Sequence, residues 1–241
     1  MVTAVRIEET QRSGLIAINL AAIIFGTAAL YGKLDISPFW IVMMRGAFAS
    51  IALVAVGLLS GGLGLIPTIA QLRGLLVTGI LLAIHWVTFF ESVQLAGVAV
   101  GTLTFAVFPL FTVLLVTMKA HRRPSLLELG AGLAIILAVA LLVDAKDSDA
   151  QLTGAIIGLG SALSFAVFGI KAQILTTEIQ PLMVSLIQNL TVALCLTPTL
   201  VFSSHAPHTT TDWVGLMLLG VVTTAFMHQL YLIALKRLSA T

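Results

Sequence analysis

The stretch PFWIVMMRGAFASIALVAVGLLS, residues 38–60, decides the fold. It is long enough to cross a bilayer, which takes about 20 mostly apolar residues, and Arg45 is its only charge. A guanidinium near the middle of such a helix costs roughly 2.5–3.5 kcal/mol on insertion scales. A chain keeps that cost only where the Arg finds a partner, snorkels, or lines a wet cavity.

Outside this stretch the composition agrees. Apolar residues make up 59% of the 241 residues and charged residues only 9%, with a mean hydropathy of +1.11. Soluble domains carry about 25% charged residues, so this chain has too little polar material to cover a globule. It is an integral membrane protein whose first partner is the lipid bilayer. The formal charge of +2 is too small to suggest nucleic acid. A single cysteine, Cys195, excludes an intramolecular disulfide and a cysteine-based zinc site, and no metal or cofactor is implied. The opening MVTAVRIEETQRSG carries Glu8 and Glu9 before an apolar run longer than a secretory core of roughly 7–15 residues. That run reads as a retained first span.

Eight stretches have the length and apolarity of a transmembrane helix: about 14–33, 38–59, 73–95, 98–118, 125–143, 153–172, 181–203 and 213–235. Breaks fall at Gly61-Gly62, at His121-Arg122-Arg123-Pro124, from Asp144 to Asp149, and from Ser203 to Asp212. The links near 34–37 and 96–97 are so short that their flanking helices must be antiparallel neighbours. The alternating segments of a β-barrel are not seen. Lys and Arg set the orientation. With the N-terminus inside, Arg6, Arg12, Arg73, Lys119, Arg122, Arg123, Lys171, Lys236 and Arg237 are cytoplasmic, and only Lys33 and Lys146 lie outside. Both termini are then cytoplasmic, and Trp40 and Trp213 sit at the outer interface.

The chain repeats itself. SGLIAINLAAIIFGTAA (13–29) lies against TGAIIGLGSALSFAVFG (153–169), with Gly14 on Gly154, Ala22 on Ala162 and Phe25 on Phe165. PFWIVMMRGAF (38–48) lies against PLMVSLIQNLT (181–191), placing Arg45 opposite Gln188, and RGLLVTGILL (73–82) lies against VGLMLLGVVT (214–223). A five-helix repeat must run in the opposite sense the second time, the inverted plan of a secondary transporter. The expected organisation is a first repeat at 1–144, a linker at 145–152 and a second repeat at 153–241. If the repeats are equal, the second copy is expected to lack about 45 residues, two helices, of a 5+5 arrangement of ten helices.

Polar residues inside the spans mark the candidate site, since such residues usually face the bundle interior. On a wheel of the third segment, His85, Thr88, Glu91, Ser92 and Gln94 share one half, expected to face inward. Leu82, Trp86, Phe90 and Val93 share the other, with Trp86 expected to face lipid. Arg45 and Glu91 differ in depth by about 5 Å at 1.5 Å per residue, so they are expected to pair or to share a wet vestibule. A static bridge between helices is the competing reading. In the last segment Thr224, His228 and Tyr231 recur at i, i+4, i+7, and Gln188 and Asn189 mirror Arg45 and Gly46. His85 and His228 suit proton coupling or substrate hydrogen bonding, and equally suit neutral helix packing. Pro109 and Pro198 free backbone carbonyls and bend their helices, as hinges or as passive kinks.

AAIIFGTAALYGK (21–33), Pro38 followed by Arg45, FAVFPLFTVLL (105–115), SALSFAVFGIKAQ (161–173) and ALKRLSA (234–240) together resemble the EamA-type members of the drug/metabolite transporter superfamily. The resemblance covers essentially the whole chain as a pattern, without a single diagnostic string. It implies ten helices around a central cavity between two five-helix halves, and export of amino acids, other metabolites or xenobiotics across the cytoplasmic membrane. The chain departs from the family at its end, where a ninth helix would complete the cavity wall.

The leading expectation is therefore a multi-pass exporter of small solutes in the cell membrane, working by alternating access. The alternative is a truncated or degenerate protein that acts as a scaffold or receptor without transporting. No GxxxxGK[ST] loop occurs, so energy would come from a gradient. An enzyme is not expected: His85 and Glu91 lack HExxH spacing, and no serine–histidine motif stands out. Substrate identity, proton coupling and a homodimer stay open.

Overall fold

Apolar runs broken by Gly, Pro and short polar loops can satisfy their backbone in lipid only as helices or closed barrels, and here they form helices. The computed structural model describes residues 2–142 and 148–239, among which no strand occurs. Helix α1 (Val2–Ala28) tightens into a 3-10 turn at Ala29–Lys33. Helix α2 (Pro38–Leu59) starts on a proline, whose missing N–H is free of cost in a first turn. There follow α3 (Ile69–Phe105), α4 (Phe108–Lys119), α5 (Leu126–Leu142), α6 (Ser148–Glu178) and α7 (Pro181–Leu196). A 3-10 turn at Thr197–Phe202 closes α7. Then α8 (Thr210–Leu218) runs through a π-helical segment, Leu219–Phe226, into α9 (Met227–Ser239).

Six helices among the described residues are long and apolar enough to cross a membrane: Arg12–Lys33, Pro38–Leu59, Ile69–Phe105, Asp149–Glu178, Pro181–Phe202 and Thr210–Leu238. The expected span 98–118 is instead divided. Its first part follows a reversal of the chain at Gly97, where the expected link at 96–97 falls, and its second is the separate 12-residue α4. The physical reason is Pro109, which has no N–H to donate to Phe105 and stands in the first turn of α4. The expected span 125–143 corresponds to the 17-residue α5; residue 143 lies outside the described residues. Of the expected linker, residues 148–152 are helical, while 145–147 and the neighbouring Asp144 lie outside the described residues.

The start of α3 is held by a capping box. Thr68 Oγ1 accepts from the Gln71 backbone N–H at 3.3 Å while Gln71 Oε1 accepts from the Thr68 N–H at 2.9 Å. The start of α8 uses the same device, with Thr209 and Asp212. Within α3 the chain doubles back at Gly97, where φ is +82° and ψ 165°. A Cβ at Gly101 would lie 2.6 Å from Val93 Cγ2, so the segment after the turn folds onto the one before it. Nothing lies within 4 Å of a Cβ at Gly97, yet this backbone region is essentially closed to other residues and costs about 1–3 kcal/mol there. Gly97→Ala is therefore expected to lower the thermal midpoint in detergent, and an unchanged midpoint would sink this account.

Glycines also set the helix crossings, as small residues do where backbones approach closely. A Cβ at Gly46 on α2 would lie 3.0 Å from the carbonyl oxygen of Asn189 on α7. A Cβ at Gly79 on α3 would lie 2.5 Å from Thr191 Cβ on α7, and one at Gly220 in the π segment 2.5 Å from Phe48 Cβ on α2. α3 and α6 run antiparallel along their length, with Gly74 against Leu175, Ser164 donating to the Leu81 carbonyl, and Gly154 against Ala96. α1 lies along α9, with Gly14 against Leu238.

This arrangement corrects the wheel reading of α3. Leu82, Trp86, Phe90 and Val93 are all buried, as are His85 and Ser92. The open face carries Ile80, Ile84 and Leu95. Trp86 faces the interior because α3 is enclosed by α2, α6 and α7. A two-sided wheel assumes one interior face, and a central helix has more than one.

Candidate functional site

Arg45 is 2% exposed. Its position follows from Gly46 and Gly220, which let α7 and the π segment close around this turn of α2. Its Nε donates to Thr224 Oγ1 at 3.0 Å. The guanidinium carbon lies 3.8 Å from the centre of the Trp86 ring and 5.7 Å from that of Phe90. Such a desolvated cation–π contact is worth about 2 kcal/mol. The π segment makes the Thr224 bond possible: Thr224 Oγ1 donates to the Leu219 carbonyl five residues back, at 2.7 Å. Its lone pairs then remain for Arg45. π-helical turns often occur at functional positions.

The expected pairing of Arg45 with Glu91 is not made. Among the described residues no carboxylate lies within ion-pair distance of Arg45, and Glu91 sits half-buried on α3. At 100° per residue Glu91 shares the face of Ile80, Ile84 and Leu95, well round from Trp86. Thr88 is near that face and returns its hydroxyl to the Ile84 and His85 carbonyls.

The two membrane histidines are buried and each is held from a neighbouring helix. His85 Nδ1 lies 2.8 Å from Ser161 Oγ and 3.3 Å from the Ser161 carbonyl oxygen, on α6. Ser161 Oγ donates back to the His85 carbonyl at 2.9 Å. His228 Nε2 lies 3.0 Å from Gln188 Oε1, and Gln188 Nε2 donates to Thr78 Oγ1 at 2.9 Å. Removing Gln188 strands the His228 N–H, and an unsatisfied buried group costs about 1–3 kcal/mol. Gln188→Leu is expected to lower the thermal midpoint, whereas a rise would show that the network does not hold the bundle. Asn189 donates to the Ser185 carbonyl at 2.8 Å and its backbone meets Gly46.

A cavity of about 490 Å³ opens among α1, α2, α3, α4, α6 and α9. Of the nine expected site residues, it is lined by Arg45, His85, His228 and Tyr231. Gln188 and Thr224 stand behind it and hold His228 and Arg45. Thr88, Glu91 and Asn189 do not line it. Pro109 marks the division between α3 and α4, next to the lining residue Phe108, and Pro198 lies in the first turn after α7. The sequence reading missed the aromatic wall. His85 stacks on Phe105 with ring centres 4.9 Å apart, and Phe105 stacks on Phe108 at 5.2 Å. Phe165 packs between His85 at 4.7 Å and Tyr231 at 5.5 Å. One signal was available: FAVF occurs twice, at 105–108 and 165–168, and both copies lead with a cavity phenylalanine.

An apolar chamber with a few convergent polar groups suits a small molecule, and the comparisons agree with a transporter. A model of the EamA-like transporter family matches residues 12–144 and 152–241. The chain belongs to that family. Its members are membrane transporters of the drug/metabolite type, and this EamA-like chain is a multi-pass membrane protein. One solved structure, described only as a crystal structure of a protein, shares its fold. The TM-score is 0.70 at 20% identity, over 94% of this chain and 80% of that one. No curated protein matches this EamA-like chain.

Proposed function

We propose that this protein is a secondary transporter of the cytoplasmic membrane that exports small metabolites, such as amino acids or drug-like solutes, by alternating access. The cavity carries the reading, because it gathers Arg45, two histidines and Tyr231 where flanking helices could open to either side. The proposed frame is eight spans of a 5+5 inverted-repeat fold, with the first repeat at 1–144, the second at 153–241 and the N-terminus in the cytoplasm. Contacts that recur between the halves support it. Thr68 caps α3 as Thr209 caps α8. Gly79 meets Thr191 as Gly220 meets Phe48.

In this orientation the outer end is laced shut. His205 Nδ1 pairs with Asp35 at 2.9 Å, the Ser37 N–H donates to the His205 carbonyl at 3.0 Å, and Gln94 Nε2 donates to the Ile36 carbonyl at 2.9 Å. The cavity lining extends the other way, to Gln173 and Leu235. That combination fits a carrier closed outside and accessible from the cytoplasm.

The test is solute exchange in vesicles containing the purified protein, with Gly26→Phe as the blocking variant. Gly26 lines the cavity and nothing lies within 4 Å of where a Cβ would stand, so a ring at the cavity wall is accommodated without forcing helices apart. Exchange is expected to fall about tenfold or more at an unchanged thermal midpoint, since the ring fills volume a solute needs. Wild-type exchange in Gly26→Phe would place the pathway elsewhere.

A further inference from the structure

The cavity holds a buried cation that meets no counter-charge among the described residues. Arg45 Nε is used by Thr224 and one ring face by Trp86, but its four terminal N–H groups donate to no described protein acceptor. No carboxylate is among the described residues lining the chamber.

The histidines add acceptors. Ser161 presents a carbonyl oxygen and a hydroxyl already committed as donor to the His85 carbonyl, so His85 Nδ1 must carry the proton. In the uncharged ring Nε2 is then an acceptor that meets no donor among the described residues. For His228 the chain of donors runs one way. The Thr78 hydroxyl donates to the Gly74 and Leu75 carbonyls, so it accepts from the Gln188 amide N–H, and Gln188 Oε1 accepts from His228 Nε2. This leaves His228 Nδ1 as the second such acceptor. Between these groups the walls are phenylalanine faces, which suit a flat ring.

We propose that the cavity selects aromatic monocarboxylates bearing a ring O–H or N–H donor, in preference to amino acids with the same ring. This rests on the transporter reading for its physiological meaning, but it concerns binding. The carboxylate neutralises Arg45, the ring stacks on phenylalanine, and the donor reaches a histidine nitrogen. An α-ammonium would bring a second cation into a chamber that offers it no anion, and an uncompensated buried charge is strongly disfavoured.

The test compares five ligands on the purified full chain in detergent, by equilibrium binding. Phloretate is tyrosine with its α-ammonium replaced by hydrogen; hydrocinnamate further lacks the phenol O–H, and tyramine lacks the carboxylate. Phloretate is expected to bind about 100-fold more tightly than tyrosine, tyramine or its own methyl ester. Hydrocinnamate is expected to bind about tenfold more weakly than phloretate, the loss of one hydrogen bond. In Arg45→Gln, the preference for phloretate over its ester is expected to vanish. The ester comparison on the wild-type chain makes the same point without depending on that variant's folding. Tyrosine or tyramine binding as tightly as phloretate, or no binding by phloretate, would overturn the proposal. Tight phloretate binding without movement across vesicles would uphold it and instead sink the transporter reading.

Discussion

Arg45→Met is expected to reduce solute exchange about 100-fold while leaving the thermal midpoint equal to, or above, that of the parent. Two opposing terms set the stability. The substitution gives up a cation–π contact worth about 2 kcal/mol. It also removes a buried guanidinium that no described carboxylate compensates, a desolvation penalty of several kcal/mol. Met has a similar reach and fills the space against Trp86, and Thr224 keeps its own bond to the Leu219 carbonyl. Relief of the charge therefore wins or balances. The flux term is different in kind, because each hydrogen bond to a charged group contributes about 1.5–3 kcal/mol and the methionine offers none. Paired measurements of exchange and thermal unfolding separate the alternatives. Collapse of the fold would make Arg45 a structural pin, and undiminished exchange would remove it from the pathway.

Gly220→Val is expected to act through the fold. Even a Cβ at this position would lie 2.5 Å from Phe48 Cβ, 2.9 Å from the Arg45 carbonyl oxygen and 3.3 Å from the Ala49 nitrogen. Two of those atoms are backbone and cannot swing away, so the π segment would have to separate from α2. Overpacking usually costs about 1–3 kcal/mol, and contact with rigid backbone on two sides puts this case at or beyond the upper end. The expected result is aggregated or polydisperse material on size-exclusion chromatography in detergent, with the Thr224–Arg45 bond lost in whatever survives. Gly26→Phe is the internal control, since its larger side chain enters open space. A monodisperse, stable Gly220→Val protein would mean that the π segment and α2 are not tightly bound to each other.

Part of the candidate site was readable in advance through its polar residues. Arg45, His85 and His228 stand out in apolar runs because polar groups in lipid are costly, and all three line the cavity. The error over Trp86 has the same origin. Hydrophobicity alone does not separate a ring facing lipid from one packed on a guanidinium, and the wheel of α3 looked two-sided only because its apolar half was assumed to face out. The Glu91 pairing failed on rotation about the helix axis: matching depth brings two residues to one level, and only facing sides bring them together. The π segment was illegible for a different reason. It changes register by hydrogen bonding five residues back, and nothing in LGVVTTAF, 219–226, announces that choice.

By itself the sequence determined that this is a helical membrane protein, where α2, α5 and α7 begin, and that Arg45, His85 and His228 are buried at a cost. These follow from the bilayer as solvent, which demands apolar length and internally bonded backbone whatever the helices pack against. Only the tertiary structure decided that Arg45 meets Thr224 and Trp86 rather than Glu91, that Gln188 orients His228, and that phenylalanines wall the chamber. Those outcomes depend on helix rotation and on glycine-permitted approach between segments far apart in the chain. Such terms arise when helices pack and are carried by no one helix alone.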